Sequence, residues 1–340
     1  MTITLAGQSA VSVEIGGTTL PLHFGDPAAE YAAVRAGAGV CVRSHEGRVR
    51  SLGRDRLDLL HRMSTNDLAN FSPGEARATV LTTPIARIVD VLWVLHLGET
   101  ALCLTGPGRA PAIRRWLAGD IFFRDEVRLV DVSAELGQLG LYGPRAAAVA
   151  EALLPGAAAL AENRCLEGAG LILARIRPLA GDGYSVIAPA DQLEALWARA
   201  VAAGARPAGE AAYQMLRLAA GQPEAGHELT EAYLPLEADL WSAVNFTKGC
   251  YIGQEIIARM ESRGKLARRL AGIRLEAPVA EGADVLADGA VIGQVTTAGE
   301  VPGLGPLALS ILKTGACEPG TPVSVGGIPG TVAALPFVSV

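Results

Sequence analysis

Apolar and polar positions follow two periods along the chain, one typical of strands and one typical of helices. Residues 11–15 alternate and end at Gly16-Gly17, which predicts a hairpin. Residues 27–38 begin with a proline and stop near Gly39, which predicts a helix. The chain therefore opens with a hairpin followed by a helix.

The pattern of apolar positions in residues 49–132 predicts a compact unit of mixed strands and helices. Its predicted elements are strands at 48–52, 78–82, 88–97, 101–104 and 127–133, and helices at 54–63 and 109–117. A second unit follows, with predicted strands at 136–141, 171–176 and 184–188, and helices after Pro144, at 191–203 and at 210–220. Residues 221–246 are irregular, and a loop of that length inside a domain is usually functional.

The pattern of apolar and polar residues changes from residue 268 onward. Short alternating segments are separated by Gly and Pro turns, at 269–275, 291–297, 307–312, 322–325 and 331–335. This pattern predicts a small β-barrel or sandwich domain.

Composition and charge narrow the class of protein. A chain of 340 residues, half of them hydrophobic, predicts two or three folded domains. The net charge of −6 argues against bulk binding to nucleic acid or anionic membranes. No apolar run is long enough to cross a bilayer, and the N-terminus lacks the features of a signal peptide. The five cysteines are far apart and form no Cys-x-x-Cys pair, which predicts a reduced cytoplasm and no chain-internal metal site.

Residues 248–255, Lys-Gly-Cys-Tyr-Ile-Gly-Gln-Glu, gather unusual chemistry in a short stretch. An apolar stripe begins near Ile252, so Cys250 is expected at or just before a helix N-terminus. That position and the nearby Lys248 both lower a thiol pKa. The alternative is a small buried cysteine in a tight turn. The coincidence of charge, glycine and helix start favours the reactive cysteine.

Two other features are candidates for function. Asp90 is an acid in an apolar strand and shares a face with Ile88 and Leu92, so it is expected to be buried, paired or lining a cavity. A basic run predicts either a solvated face, which is the more common case, or a site for an anionic tail or an RNA segment. This run consists of Arg259, Arg263, Lys265, Arg268 and Arg269.

The stretch 248–255 resembles the signature Lys-Gly-Cys-Tyr/Phe-x-Gly-Gln-Glu of the YgfZ family, folate-binding proteins related to the glycine cleavage T-protein. Further similarity to T-proteins runs through nearly the whole chain, at 30–35, 65–67, 181–184 and 216–218. The resemblance implies an α+β, three-lobed T-protein-like fold, with two α+β lobes around a central cavity and a C-terminal β-barrel. The resemblance also implies domain boundaries. A discontinuous folate-binding lobe comprises residues 1–48 and 133–246, and an inserted lobe comprises residues 49–132. The cysteine segment is 247–267 and the barrel is 268–340.

The resemblance also implies site residues. The expected reactive groups are Cys250, Lys248 and Asp90, supported by the motif residues Gly249, Tyr251, Gly253, Gln254 and Glu255. The expected tetrahydrofolate contacts are Arg217, Tyr184, Asp90, Glu237 and Arg259.

Two departures from the T-protein pattern affect the expected chemistry. Val91 replaces the second member of an acidic pair, and Ala219 replaces a glutamate that recognises the pterin ring. Aminomethyl transfer is therefore not expected, and folate is expected to bind weakly unless Glu224 or Glu237 reaches into the cavity.

The resulting functional hypothesis is a cytoplasmic, tetrahydrofolate-binding protein that assists iron–sulfur cluster assembly or repair through Cys250. Its expected partners are folate and iron–sulfur proteins or their assembly machinery, with no membrane. Two alternatives remain open: an aminomethyltransferase that moves a one-carbon unit to tetrahydrofolate, and a folate sensor without chemistry.

Overall fold

The computed structural model describes residues 2–264 and 266–338. Lys265 of the basic run lies outside the described residues, as does the side chain of Arg263. Within the described part of the chain, the strands form three open sheets and one closed barrel.

The elements of the first 133 residues come in this order: β1 (Thr2–Leu5), β2 (Gln8–Ile15), β3 (Thr18–His23), α1 (Pro27–Ala36), β4 (Gly39–Val42), β5 (Glu46–Leu52), α2 (Arg56–Met63), β6 (Ala76–Thr82), β7 (Ile88–Leu97), β8 (Thr100–Pro107), α3 (Ala110–Ala118) and β9 (Arg128–Asp131). They are followed, up to residue 264, by β10 (Leu136–Gly143), α4 (Ala146–Leu153), β11 (Arg164–Gly168), β12 (Leu171–Arg175), β13 (Asp182–Pro189), α5 (Leu193–Ala202), β14 (Arg206–Pro207), α6 (Glu210–Ala219) and α7 (Gln254–Arg263). The last elements are β15 (Arg268–Leu275), β16 (Asp284–Ala287), β17 (Ala290–Val301), β18 (Gly305–Lys313), β19 (Pro322–Val325) and β20 (Ile328–Ala333). Short 3₁₀ helices occupy Ala157–Ala159, Ala190–Gln192, Trp241–Ala243 and Thr314–Ala316.

The sheet built from the middle of the N-terminal half interrupts another sheet. Strands β6, β7, β8, β5 and β9 form a five-stranded sheet in that order, using residues 46–131 alone. Strands β4 and β10, which flank it in sequence, pair with each other in a six-stranded sheet of order β11-β12-β13-β10-β4-β14. The chain therefore leaves the six-stranded sheet, completes the five-stranded one and returns.

Apolar side chains at strand and helix spacing form the cores of these sheets. On β7, Ile88, Leu92 and Val94 are fully buried, as the alternation predicts. Helices α4 and α5 cover the six-stranded sheet through Val149, Leu153 and Trp197. Burial of such faces is the main force that holds each layer in place.

The C-terminal part is a closed barrel with strand order β15-β18-β17-β16-β19-β20. Five of its strands are predicted from the sequence, and the barrel prediction is confirmed. Helix α6 packs against it, because Leu216 and Leu218 share a buried cluster with Leu307 and Leu309 of β18. The α+β fold class with its terminal barrel is therefore confirmed.

The start of α7 differs slightly from the expectation. The helix begins at Gln254, two residues after the predicted apolar stripe, because Gly253 adopts a left-handed conformation with φ of 83°. Among the described residues, no helix has the length and apolarity that a membrane span requires.

Candidate functional site

A cavity of about 910 Å³ lies where the two larger sheets and the irregular loop 221–246 meet. The turn after α2 contributes Asn66 and Asp67, β7 contributes Asp90, and the loop contributes Glu224 and Asn245. Small-molecule pockets typically measure roughly 300–1,000 Å³. The loop that the sequence predicts to be functional therefore supplies one wall of a cavity large enough for a cofactor-sized ligand.

Asp90 is the buried acid of this cavity, and its side chain is only 2% exposed. Its carboxylate accepts hydrogen bonds from the backbone N–H groups of Val91 (2.8 Å) and Gly106 (3.2 Å), and the guanidinium of Arg109 lies 3.9 Å away. Burial raises the Asp90 pKa to about 6, although these hydrogen bonds and Arg109 oppose the rise. An acid with a pKa near neutrality is suited to take up or release a proton.

A network of buried ion pairs forms the wall facing α6. Arg43 contacts Glu46 (3.1 Å), Glu210 (2.9 Å) and Glu224 (3.2 Å), and its guanidinium lies 3.6 Å from the centre of the Tyr213 ring. The arginines hold the pKa of Glu46 at about 2, well below its ordinary value, despite burial. Buried charges of this kind are stable only when they are paired.

Arg217 extends the same network to the barrel. Its guanidinium lies 3.3 Å from both Glu224 and Glu228, and it donates to the hydroxyl of Thr297 on β17 at 3.0 Å. Arg177 pairs with Glu46 at 2.7 Å. The arginines of this wall are therefore engaged with acids and held in fixed positions.

Sequence reasoning missed most of this wall. Arg43, Glu46, Arg177 and Tyr213 lie far apart in the chain and form no local motif. The signal that could have indicated them is polarity within apolar segments, as for Arg43 directly after the buried strand β4. Glu224, named as a possible substitute acid, does line the cavity.

Lys248 contacts the polypeptide backbone at the end of α2. Its ammonium group donates to the carbonyl oxygens of His61, Ser64 (2.6 Å) and Asn66 (2.9 Å) and lies 5.0 Å from the centre of the Tyr251 ring. Burial lowers the Lys248 pKa to about 8. The lysine thus attaches the cysteine segment to the turn that lines the cavity.

Cys250 is exposed and precedes the Gly253 cap of α7 by three residues. The motif around it is well packed: Tyr251 is buried, and the carbonyl of Ile252 accepts a hydrogen bond from Thr82 at 2.6 Å. Asn245, a cavity residue, accepts from the backbone of Lys248 at 2.8 Å. The segment therefore lies beside the cavity, with its thiol open to solvent. Gln254 and Glu255 form the first turn of α7.

The structure brings some of the expected folate contacts together and leaves others apart. Asp90 and Arg217 line the cavity, whereas Tyr184, Glu237 and Arg259 are not among its lining residues. Tyr184 is buried within β13, and Glu237 forms an ion pair with Arg268 at 3.1 Å. Arg259 belongs to α7, outside the cavity wall.

The expectation about Ala219 assumes that this residue faces the ligand. The structure instead places it among the apolar residues between α6 and the barrel. Ala219 is 1% exposed in the apolar cluster between α6 and the barrel, and its carbonyl accepts a hydrogen bond from Phe337. It does not line the cavity, so its methyl group does not remove a ligand contact there.

Comparison with known proteins identifies relatives along most of the chain. The family model for the GCVT N-terminal domain matches residues 1–248, and the model for the glycine cleavage T-protein C-terminal barrel domain matches residues 268–339. The chain is 33% identical to an aminomethyltransferase of Geobacillus kaustophilus, over 93% of this chain and 90% of that protein. It is 29% identical to a putative chloroplastic transferase of Arabidopsis thaliana, over 87% of this chain and 70% of that protein.

A solved structure agrees with these matches. The crystal structure of the glycine cleavage system aminomethyltransferase T from Bartonella henselae aligns with a TM-score of 0.88 at 26% identity, covering 97% of this chain and 94% of that one. The chain belongs to the glycine cleavage T-protein family.

Proposed function

We propose that the chain binds a tetrahydrofolate in the central cavity and transfers a one-carbon unit there, as an aminomethyltransferase does. The observation that carries this proposal is Asp90, a buried acid on the cavity wall whose pKa is raised to about 6. The similarity to aminomethyltransferases over nine-tenths of the chain supports it. The proposal therefore favours aminomethyl transfer, an alternative in the sequence analysis, over the iron–sulfur role that was its main hypothesis.

The cavity residues suit a folate. Tetrahydrofolate supplies two neighbouring amines that accept the one-carbon unit, one in the reduced pterin ring and one next to it. Glu224 is held between Arg43 and Arg217 with 13% of its side chain exposed, so it offers a fixed acceptor to pterin N–H donors. Trp93 also lines the cavity and offers an aromatic surface for a flat ring. These groups bind and orient the ligand.

Asp90 serves as the proton-transfer group in this proposal. Its two backbone donors fix the carboxylate, and its raised pKa allows both protonation states near neutral pH. Val91, the departure from the acidic pair, leaves this arrangement intact. One acid in the right position therefore suffices for the proton step.

The test compares Asp90→Asn with the control Asp288→Asn, an exposed aspartate of the barrel. Purified protein is supplied with an aminomethylated lipoyl carrier and tetrahydrofolate, and ammonia release is measured together with folate affinity by calorimetry. Loss of a general acid–base group should lower turnover by about 10²–10⁴-fold while folate affinity changes little. No turnover by the wild-type chain, or full turnover by Asp90→Asn, would contradict the proposal.

A second candidate is the YgfZ-type role, in which the protein assists iron–sulfur cluster assembly or repair through Cys250. The observation that favours it is the exposed thiol on a segment that Lys248 attaches beside the cavity. We test it by measuring the activity of iron–sulfur enzymes in cells that carry Cys250→Ser or Asp90→Asn in place of the wild-type gene. Loss of iron–sulfur enzyme activity with Cys250→Ser supports this candidate, and full activity with both variants contradicts it and leaves the transferase proposal.

A further inference from the structure

A second cavity, of about 480 Å³, lies where one end of the barrel meets α7 and the loop before it. A backbone hydrogen bond from Leu270 to the carbonyl of Glu237 (2.8 Å) joins the barrel to the loop at this point. The volume falls within the roughly 300–1,000 Å³ of small-molecule sites. This cavity shares no lining residue with the central one.

Most of the residues that line it are apolar. Leu236, Met260, Leu266 and Leu335 line it, and Trp241 presents an aromatic face that is 41% exposed. A small-ligand site usually combines apolar side chains, which supply affinity, with polar groups that fix the orientation of the ligand.

Two opposite charges complete the lining. Asp239 and Arg269 are the charged side chains among the described residues of this cavity. Across residues 2–264 and 266–338, neither has a hydrogen-bond or ion-pair partner within bonding distance. Partial burial raises the Asp239 pKa, and Arg269 opposes the rise. The carboxylate and the guanidinium thus line the same cavity without being paired.

We propose that this cavity binds a zwitterion with an apolar body, of the class of an α-amino acid with an aromatic or aliphatic side chain. The ammonium group pairs with Asp239, the carboxylate pairs with Arg269, and the side chain lies against Trp241. Each of the two unpaired charges gains a charge-assisted hydrogen bond, which is stronger than a neutral one. The inference is independent of the function of the central cavity.

The test uses L-phenylalanine as the probe on the full chain, with binding measured by calorimetry and by ligand-observed NMR. We expect one site per chain with an affinity near 1 mM or tighter, the range of weak small-molecule sites. 3-Phenylpropionate lacks the ammonium and phenethylamine lacks the carboxylate, so each should bind at least about ten-fold more weakly. Equal binding of either analogue, or absence of L-phenylalanine binding at several times that concentration, overturns the proposal.

Variants locate the site. Asp239→Asn and Arg269→Gln should each weaken L-phenylalanine binding by about ten-fold or more. The matched controls Asp288→Asn and Arg206→Gln change exposed residues outside both cavities and should leave it unchanged. All four positions are exposed, so the variants are expected to fold, and thermal melts check this. Undiminished binding in both cavity variants overturns the assignment.

Cys317 provides a readout of where the ligand binds. It lines the cavity and is partly exposed, so bound L-phenylalanine should slow its alkylation. The measurement uses mass spectrometry of the peptide that contains Cys317, which separates it from the exposed Cys250. No protection at saturating L-phenylalanine would place the ligand elsewhere.

Discussion

At the scale of single residues, Asp90 links stability to the proposed chemistry. Its pKa rises from 3.8 to about 6, so the folded chain holds this proton more tightly than the unfolded chain does. Stability is therefore lost as the pH rises from about 3.8 to about 6. A shift of about two units corresponds to about 3 kcal/mol. Keeping such an acid is costly, which is typical of a group retained for function.

The corresponding prediction concerns Asp90→Asn, which removes the titration but keeps the shape. The free energy of unfolding of the variant minus that of the wild type should increase by up to about 3 kcal/mol as the pH rises from 4 to 7, because only the wild type loses stability over this range. Denaturant unfolding at several pH values measures this difference. A difference that does not vary with pH would show that the Asp90 pKa is not raised.

Exposure separates Cys250 from the other cysteines. Burial raises the pKa of Cys41 and Cys103 to about 12 and that of Cys165 to about 11, and it also raises the pKa of Cys317. Among the described residues, Cys250 is the exposed cysteine, whereas Cys41, Cys103 and Cys165 are buried and Cys317 is partly exposed. We therefore predict that a mild alkylating reagent labels it first at neutral pH and that Cys250→Ser removes the fast phase. Faster labelling of Cys317 would contradict this.

Lys248 gives a third prediction at this scale. Lys248→Ala leaves the carbonyls of Ser64 and Asn66 without their donor and should lower the free energy of unfolding by about 1–3 kcal/mol. Amide exchange in residues 245–253 should also become faster, because the cysteine segment loses its attachment. The matched control is Lys313→Ala, since that lysine donates to a single carbonyl at the exposed surface. Equal stability of the two variants would exclude the anchoring role.

At the scale of elements, local pattern predicts most of the fold. Strand β7 has the predicted limits, and the hairpin at Gly16-Gly17 is confirmed by β2 and β3. The strands missed were short, such as β16 and β14, or followed a polar stretch, such as β11. Such segments carry too few apolar positions to show a period, and they form because neighbouring strands offer hydrogen-bonding partners.

The start of α7 shows how tertiary contact sets an element boundary. A Cβ on Gly253 would lie 2.9 Å from Ala86, from the Thr82 hydroxyl and from the Thr83 carbonyl, so only glycine fits. The apolar stripe cannot reveal this contact, because residues 82–86 are distant in sequence. The helix therefore begins after the glycine and not at Ile252.

Substitution of this glycine is the prediction at the element scale. Gly253→Ala combines the unfavourable left-handed φ with a clash, whereas Gly264→Ala, at the other end of α7, has φ of 59° and open space around it. We expect Gly264→Ala to cost about 1 kcal/mol and Gly253→Ala clearly more. Denaturant titrations of both variants provide the comparison. Equal losses would show that residues 82–86 yield to the added methyl group.

At the scale of the whole molecule, the site depends on contacts that local pattern cannot predict. The cavity joins Arg43, Asp90, Arg177 and Glu224, which come from different sheets and from the irregular loop. The sequence resemblance predicted the fold, and two of the residues that it assigned to folate, Asp90 and Arg217, line the central cavity. Tyr184 was assigned from its motif, Glu237 as a substitute acid and Arg259 from the basic run. None of these signals reveals the side-chain surroundings, which depend on the assembled structure. We propose that the domain limits follow the sheets, with an inserted lobe near residues 46–131.

The balance of charges around the cavity bears on whether the glutamyl tail of a folate contributes to binding. Among the described lining residues, five are arginines and six are acids, and the whole chain carries a net charge of −6. The buried arginines are already paired, as in the Arg43–Glu210 contact at 2.9 Å. No excess of positive charge therefore remains to attract the glutamyl tail of a folate, and the basic run near Arg259 lies outside the cavity wall.

We therefore predict that tetrahydrofolate binds with little dependence on salt or on tail length. Buried, paired contacts are screened weakly, so the Kd should change by less than about three-fold between about 50 and 500 mM NaCl. Calorimetry with mono- and polyglutamylated tetrahydrofolate at both salt concentrations measures this, with Arg259→Gln as the variant expected to have no effect. Ala219→Glu, which places a charge in an apolar cluster, should destabilise the chain without tightening the ligand. Binding that tightens with tail length, weakens with salt and is lost in Arg259→Gln would show that the basic run reaches the ligand.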